Sequence, residues 1–309
     1  MPPFAWRLCN GVNAGTSGGP GAGAVMCWGP VKEGSVKRLL AQIVPGRVKA
    51  AVRAIRSLRG GELELPLVAL MCERGEASVD VGANVGVYTW FIQRASRYTV
   101  AVEPHPGLAR KLHESFGSRV AVMQCALSDH EGEVDLSVPL LGGSDLPSRA
   151  TVEPGVNIEF ERRTVRVPLR TLDSLNLPDV AFLKVHVEGH EYAVLRGGQK
   201  LLSRCHPTIM VGSEERHVPG GRERITAFLA GLGYSGFFVH EGRLHPMSAF
   251  RTEVHQRPER AKGVGAAYSG AYIHNFIFVH PARARVLERL HRRLGGPVPA
   301  EPFDEGVAA

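Results

Sequence analysis

The sequence contains no apolar run long enough to cross a bilayer, although 44% of its 309 residues are hydrophobic. A spanning helix needs about 20 consecutive apolar residues. The first 30 residues also lack a basic segment followed by an apolar core, so they do not resemble a signal peptide. These absences predict a soluble, cytoplasmic protein with no membrane span.

Paired cysteines are also missing. The five cysteines are Cys9, Cys27, Cys72, Cys125 and Cys205. Their number is odd, they lie far apart, and no C-x-x-C pair occurs. This pattern favours free thiols in a reducing compartment over disulfides or a zinc site.

Acidic residues are outnumbered, 30 against 37 basic ones, which gives a net charge of +7 at pH 7. The basic residues are densest in 31–59 and 282–293. Aromatic side chains, 7% of the chain, are not interleaved with them as a nucleic-acid stacking surface requires. We therefore expect solvated helix faces and no nucleic-acid partner, with weak attraction to an anionic membrane or polymer as the alternative.

The composition predicts four segments. Residues 1–30 are rich in glycine and proline and are expected to be disordered. A basic helical lead-in covers 31–61, a single α/β domain covers 62–281, and a basic helix with a flexible tail covers 282–309.

From Ser78 onward, short apolar strands alternate with helices, which predicts parallel β-α-β units with helices on both faces. The alternation pauses at 139–161, which we interpret as a mobile loop. It then resumes with strands that include 180–187 and a helix at about 221–231. The last apolar stretch, AYIHNFIFV, suits an added antiparallel strand.

The stretch VDVGANVGVYT (79–89) predicts a nucleotide site where a strand turns into a helix. Glycines let a backbone approach a ligand closely, and Glu103, about twenty residues on, can accept ribose hydroxyls. The dinucleotide fingerprint G-x-G-x-x-G is absent, which argues against a nicotinamide-dependent oxidoreductase. The carboxylate of Asp80 would repel pyrophosphate and favours the ammonium-bearing S-adenosylmethionine.

The third predicted strand, RVAVMQCAL, ends in the stretch CALSD (125–129), which is expected to border the adenine. Ala126 and Leu127 would supply backbone and apolar contact. Asp129 would accept the adenine amino group, or serve equally well as a plain turn residue before Gly132.

A third stretch, KVHVEGHE, places Lys184, His186 and Glu188 at alternate positions, which predicts that all three project to one face of a strand. Two histidines flanking a glutamate also suggest a metal hydrolase. The spacing is not H-E-x-x-H, however, and Gly189 prevents one helical face from presenting both rings.

Together, these stretches make the chain resemble the FkbM-type family of S-adenosylmethionine-dependent methyltransferases over roughly residues 64–280. The matching segments are VDVGANVGVYT, VAVEP, ALSDHEGEVDL, VPLRTLDSL, FLKVHVEGHEYAVLRGG, PTIM, GSEERH and YIHNFIFV. The resemblance implies a three-layer class I methyltransferase (Rossmann-like) fold with a mostly parallel seven-stranded sheet and an antiparallel C-terminal strand. It also implies O-methyl transfer to a small-molecule or glycan acceptor, such as a sugar, glycolipid or polyketide.

The same resemblance assigns residues to roles. Cofactor contacts are expected from Asp80, Gly82, Ala83, Asn84, Gly86 and Glu103. The reaction centre is expected at Lys184, His186 and Glu188.

Two positions depart from the family pattern, since His186 replaces the usual aspartate and Gly212 replaces a frequent glutamate. His186 could be the general base, near neutral pH, or orient the substrate while Glu188 is the base. It could also mark a catalytically impaired protein that binds the cofactor or a partner. Since histidine is a poorer magnesium ligand than aspartate, the need for a divalent metal stays open.

Overall fold

The structure is a computed structural model that describes residues 44–59, 62–257, 259 and 272–295. The chain divides into two compact units, Met1–Pro45 and Gly46–Ala309, and the second contains nearly all described residues. The predicted disordered segment 1–30, residues 31–43 of the lead-in and the tail after 295 lie outside the described residues.

The helices and strands of the described residues alternate along most of the chain. The helices are α1 Gly46–Arg59, α2 Val68–Met71, α3 Val87–Ala95, α4 Pro106–Phe116, α5 Glu191–Arg196, α6 Gln199–Cys205, α7 Gly221–Ala230, α8 Thr252–His255 and α9 Ala284–Leu294. The strands are β1 Ala77–Val81, β2 Tyr98–Val102, β3 Ala121–Met123, β4 Ala126–Ser128, β5 Gly132–Leu141, β6 Ser144–Asp145, β7 Arg162–Thr171, β8 Val180–Val185, β9 Thr208–Gly212, β10 Ser235–His240, β11 Arg243–Pro246 and β12 Asn275–Val279.

The main sheet has the strand order β11-β10-β12-β9-β8-β1-β2-β3. Strands β3, β2, β1, β8 and β9 pair in parallel, and β12 runs antiparallel to both β9 and β10. The predicted class I methyltransferase fold is confirmed, including the antiparallel late strand. All residues of β1 and β8 are buried, as expected for strands covered by helices on both faces.

The sheet has eight strands rather than the seven predicted. The extra strand, β11, pairs antiparallel with β10 across a two-residue turn in which Glu241 has φ 49° and Gly242 φ 73°. Such turns need positive φ at both central positions and usually carry asparagine or aspartate first. Glutamate there concealed the hairpin in the sequence.

A second sheet, ordered β4-β7-β5-β6, corrects two predictions. The stretch RVAVMQCAL is not one strand, because β3 belongs to the main sheet and β4 to the second one. The segment 139–161 is not simply a mobile loop: β5 extends to Leu141, turns at Gly142-Gly143, and Ser137 and Thr151 exchange backbone hydrogen bonds of 2.9 and 3.0 Å. A glycine pair with positive φ is typical of a tight hairpin.

Candidate active site

A cavity of about 330 Å³ lies at the carboxyl ends of β1, β2 and β8, beside the second sheet. Ligands bind at this edge in open α/β sheets. Eight of the residues predicted to form the site line the cavity: Gly82, Ala83, Asn84, Glu103, Ala126, Leu127, His186 and Glu188. Asp80, Gly86, Asp129 and Lys184 are not among the lining residues.

The glycines of the loop between β1 and α3 are needed for packing within the protein. Gly82 has φ +74°, and a Cβ on it would lie 2.0 Å from the carbonyl oxygen of His186. Gly86 has φ +81°, and its Cβ would lie 2.5 Å from the ring of Phe116. The loop therefore fits tightly between the end of β8 and α4, and this holds Ala83 and Asn84 at the cavity wall.

Glu103 is a buried carboxylate at the cavity wall. Its two oxygens accept the backbone N–H groups of Asn84, at 2.7 Å, and His105, at 2.9 Å. Burial raises the pKa of Glu103 to about 7, although these two hydrogen bonds act in the opposite direction. Each carboxylate oxygen retains a further lone pair, so the group can still accept hydrogen bonds from a ligand.

Asp80 and Lys184 form a buried ion pair behind the cavity wall. The ammonium of Lys184 lies 3.4 Å from Asp80 Oδ1 and 4.9 Å from the ring centre of Tyr88. Asp80 Oδ2 accepts the hydroxyl hydrogen of Thr89 at 2.6 Å. The structure thus gives both charges a partner within the protein.

The end of β4 presents Ala126 and Leu127 to the cavity, but Asp129 is turned to the surface beside His130, 2.9 Å away. This position favours the interpretation of Asp129 as a turn residue. The neighbouring Ser128 is buried, and its hydroxyl lies 2.9 Å from His190 Nε2.

The alternation expected for Lys184, His186 and Glu188 does not extend to Glu188. Strand β8 ends at Val185, and Glu188 has a left-handed φ of +54°, so the alternation of side chains stops. His186 and Glu188 face the cavity without Lys184. A left-handed residue other than glycine is strained, and such strain is concentrated at functional sites.

The strained turn is held by hydrogen bonds from both sides. The carboxylate of Glu191 accepts the backbone N–H groups of Val187, at 2.8 Å, and Gly189, at 3.1 Å. Thr151 donates its hydroxyl hydrogen to the carbonyl oxygen of Glu188 at 2.8 Å. Glu191 and Thr151 therefore position Glu188.

Glu188 lies between two imidazoles. Its carboxyl oxygens are 3.9 Å from His186 Nε2 and 3.7 Å from His217 Nε2. Burial, reinforced by the charge of Glu214, raises the pKa of Glu188 to about 8. Burial and the charge of Lys184 lower the pKa of His186 well below its usual value, so His186 is neutral at physiological pH.

Glu214 supplies a fixed negative charge at the same wall. It accepts hydrogen bonds from Arg216 Nε at 2.6 Å and from the hydroxyl of Tyr272 at 2.9 Å. Burial alone would raise the pKa of Glu214, but Arg216 lowers it to about 2. Glu214 is among the lining residues, whereas its neighbours Glu215 and His217 are not. Glu215 instead accepts a hydrogen bond from the backbone N–H of Gly220 at 2.8 Å.

The two departures from the family pattern are in contact. A Cβ on Gly212 would lie 2.7 Å from His186 Cγ and 2.8 Å from its Cδ2. The imidazole thus occupies the space that any side chain at 212 would need. Histidine therefore fits at position 186 because residue 212 is a glycine.

Several lining residues were missed in the sequence. Arg149, Thr151 and Arg216 line the cavity. The first two lie in the segment interpreted as a loop, where no periodic pattern marked them. Arg216 comes two residues after Glu214 in GSEERH. A basic residue so close to an acidic one was the available signal that the two side chains pair.

Within the described ranges, no group of three or more histidine, cysteine, aspartate or glutamate side chains is arranged to hold a metal ion. In the same part of the chain, no helix is both long and apolar enough to cross a membrane.

The chain matches the family model of the methyltransferase FkbM domain over residues 80–235. This range is just over half of the 309 residues. No curated protein matches the chain at a significant level.

The chain is also similar to solved structures. Methyltransferase FkbM from Methylobacillus flagellatus KT has 14% identity and a TM-score of 0.42, and the match covers 67% of this chain but only 44% of that one. An O-methyltransferase from Bacillus cereus, in complex with SAH, has 11% identity and a TM-score of 0.38, covering 79% and 96%. An rRNA methylase from Streptococcus thermophilus has 9% identity and a TM-score of 0.38, covering 70% and 93%.

Proposed function

Because this chain belongs to the FkbM methyltransferase family, whose domain spans residues 80–235, we propose that it methylates a hydroxyl group, with S-adenosylmethionine as the methyl donor. The acceptor class is a sugar, a glycolipid or a polyketide-type metabolite. The observation that carries the proposal is the single cavity that Glu103, His186 and Glu188 share.

The residues present fit the cofactor. Glu103 offers a buried carboxylate for ribose hydroxyls, and Ala126 and Leu127 offer apolar contact for adenine at the neighbouring strand end. The cavity volume of about 330 Å³ falls in the range of small-molecule sites, about 300–1,000 Å³. When bound there, S-adenosylmethionine would supply an electrophilic methyl group.

The chain itself must orient the acceptor and take its proton, because a protonated aliphatic hydroxyl is a poor nucleophile. Glu188 is the base in this proposal. With a pKa of about 8, its carboxylate is a stronger base than an exposed glutamate. His186, held neutral, would donate a hydrogen bond to the substrate beside it or accept one from its hydroxyl.

Calorimetric titration with S-adenosylmethionine tests the cofactor. We expect binding by the wild type and about tenfold or greater weakening in Glu103→Gln, because a charged acceptor of hydrogen bonds is lost. The matched control is Glu133→Gln, which removes an exposed carboxylate that pairs with Arg166 on the second sheet. A wild type that fails to bind, or equal losses in both variants, would refute the cofactor assignment.

The second candidate is a catalytically impaired protein that binds the cofactor or a partner without methyl transfer. The replacement of the usual aspartate by His186 favours it. The variant His186→Asp distinguishes the two: methyl transfer that appears only in the variant supports impairment, whereas a fall from wild-type activity supports a role for His186.

A further inference from the structure

Helix α1 carries an exposed apolar stripe on the side opposite its buried face. Val48, Val52 and Ile55 follow the i, i+4, i+7 spacing of one helix face, and 43%, 41% and 51% of their surfaces are exposed. Ala50 and Ala54, on the opposite face, are buried. The outward face of a surface helix is normally polar, so three exposed branched side chains in a row indicate a surface that is covered in use.

The same helix is strongly basic. Its sequence, GRVKAAVRAIRSLR, contains five basic residues and no acidic one. At 100° per residue, Lys49 and Arg56 flank the stripe on one side, and Arg59 lies along it. Arg53 is turned inward and donates to the carbonyl oxygen of Val85 at 2.8 Å. An apolar stripe bordered by cations is typical of helices that lie in the plane of a membrane surface.

We propose that α1 docks on an anionic lipid bilayer, with Val48, Val52 and Ile55 in the boundary between headgroups and acyl chains. Lys49, Arg56 and Arg59 would then contact lipid phosphates. Such a helix lies on a membrane without crossing it. The proposal concerns the outside of α1 and does not depend on the reaction proposed for the cavity.

The basic charge of α1 argues against a second copy of the chain and against residues 1–43 as the group that covers the stripe. A two-fold dimer through α1 would place the same basic residues against each other. Residues 1–43 contain four basic residues and one acidic residue, so they do not supply the missing negative charge. A nucleic acid would neutralise the cations but gives valine and isoleucine side chains no apolar phase to enter.

The inner face of α1 connects this surface to the cavity. Ala50 packs in one cluster with Ala83, and Arg53 binds Val85; Ala83 and Val85 both line the cavity. Docking through α1 therefore places lipid on the outer side of the loop between β1 and α3.

Flotation of the full chain with vesicles tests the proposal. We expect binding to phosphatidylcholine mixed with phosphatidylglycerol, little binding to phosphatidylcholine alone, and weakening as salt is added. Ile55→Asp should lower the partition coefficient about tenfold or more, because an inserted apolar side chain is replaced by a charge that the anionic lipids repel. The matched control is Val254→Asp, at an apolar residue of α8 that is 39% exposed.

Four outcomes would overturn the proposal. The first is absence of vesicle binding, and the second is equal loss in Ile55→Asp and Val254→Asp. The third is vesicle binding that the double variant Arg56→Gln/Arg59→Gln abolishes and Ile55→Asp leaves unchanged, together with binding of the wild type to single-stranded RNA at equal affinity. That result indicates an anionic polymer as the partner. The fourth is a dimer in light scattering that Ile55→Asp dissociates, which indicates a second copy of the chain.

Discussion

The contact between His186 and Gly212 makes their substitution effects interdependent. Gly212→Ala would place a Cβ 2.7 Å from His186 Cγ, so we expect it to reduce the free energy of unfolding by about 1–3 kcal/mol, the usual cost of overpacking. In a His186→Ala background this ring is gone, and the added methyl should cost little. Urea denaturation of the two single variants and the double variant measures the coupling.

The control for this cycle is Gly75→Ala, since a Cβ at Gly75 would meet nothing within 4 Å. Additive effects of Gly212→Ala and His186→Ala would show that the ring does not occupy the space at 212. Strong coupling would mean that the two departures from the family pattern are one joint change.

The pKa values of Glu188 and His186 separate the two candidate bases. If Glu188 takes the proton, kcat/KM rises with pH and levels off above about pH 8. If His186 does, its lowered pKa leaves it deprotonated throughout that range, and the rate is flat. We expect the rising profile, and we expect Glu188→Gln to lower kcat/KM by about 10²–10⁴-fold and remove the rise.

The comparison requires methyl transfer to be followed over a wide pH range, with Glu133→Gln as an exposed control. A wild-type profile that is flat above neutral pH would exclude Glu188 as the base.

At the scale of elements, one histidine ties the segment between β6 and β7 to the rest of the site. His190 Nδ1 lies 2.7 Å from Glu153 Oε2, and His190 Nε2 lies 2.9 Å from the hydroxyl of Ser128. The chain of contacts links the end of β4 to the stretch that brings Arg149 and Thr151 to the cavity. His190→Ala removes both links at once.

We therefore expect His190→Ala to accelerate amide hydrogen exchange in residues 147–157. Local opening of this segment then costs less free energy, because the two contacts of His190 no longer have to be broken. The matched control is His130→Ala. The side chain of His130 is 70% exposed and its ring is hydrogen-bonded to its neighbour Asp129. Unchanged exchange in His190→Ala, or equal acceleration in both variants, would show that the segment is held elsewhere.

Elements with a regular pattern were predictable from the sequence. The strand predicted at 180–187 occurs as β8, two residues shorter, and the helix predicted at 221–231 occurs as α7, one residue shorter. The strand is buried throughout, and the helix buries Ile225 and Leu229 one turn apart, so each leaves a clear apolar pattern. The separation of β3 from β4 was not predictable. The break at Gln124 and Cys125 arises because β3 pairs with β2 and β4 pairs with β7, and these partners are distant in the sequence.

Site residues were likewise predictable where a regular element positions them and unpredictable where non-local contacts do. Positions at strand ends, such as Glu103 and Glu188, reach the cavity because the fold puts all parallel strand ends at one edge. Lys184 faces Asp80 instead, and Arg149 enters from a segment whose pairing is non-local. Neither outcome has a signature in nearby sequence.

At the scale of the whole molecule, buried carboxyl groups make stability depend on pH. Burial raises the pKa values of Glu64, Glu103 and Glu191 to about 7 and that of Glu188 to about 8. The unfolded chain releases these protons near 4.5, so between 4.5 and 8 the native state binds more protons. Their contribution to stability is complete below about pH 4.5 and is lost as pH rises through 7 to 8.

Buried histidines act in the opposite sense. Burial lowers the pKa values of His186, His217 and His274 below 6.5, so their stabilisation is present above 6.5 and is lost in acid. Above pH 6.5 the histidine contribution is complete and only the carboxyl contribution still changes, so without ligand the free energy of unfolding should fall between about pH 6.5 and 8. Urea denaturation across this range tests the prediction, and Glu188→Gln should flatten the alkaline decline; stability that rises above neutral pH would contradict it.

The hydrogen bond from Arg53 to Val85 has a consequence for the protein's energetics as a whole. It joins the helix with the outward stripe to the loop that walls the cavity. If the helix docks on lipid and the cavity binds the methyl donor, both ligands act on this one loop. If lipid surfaces change the affinity for the methyl donor by some factor, the donor must change the affinity for lipid by the same factor.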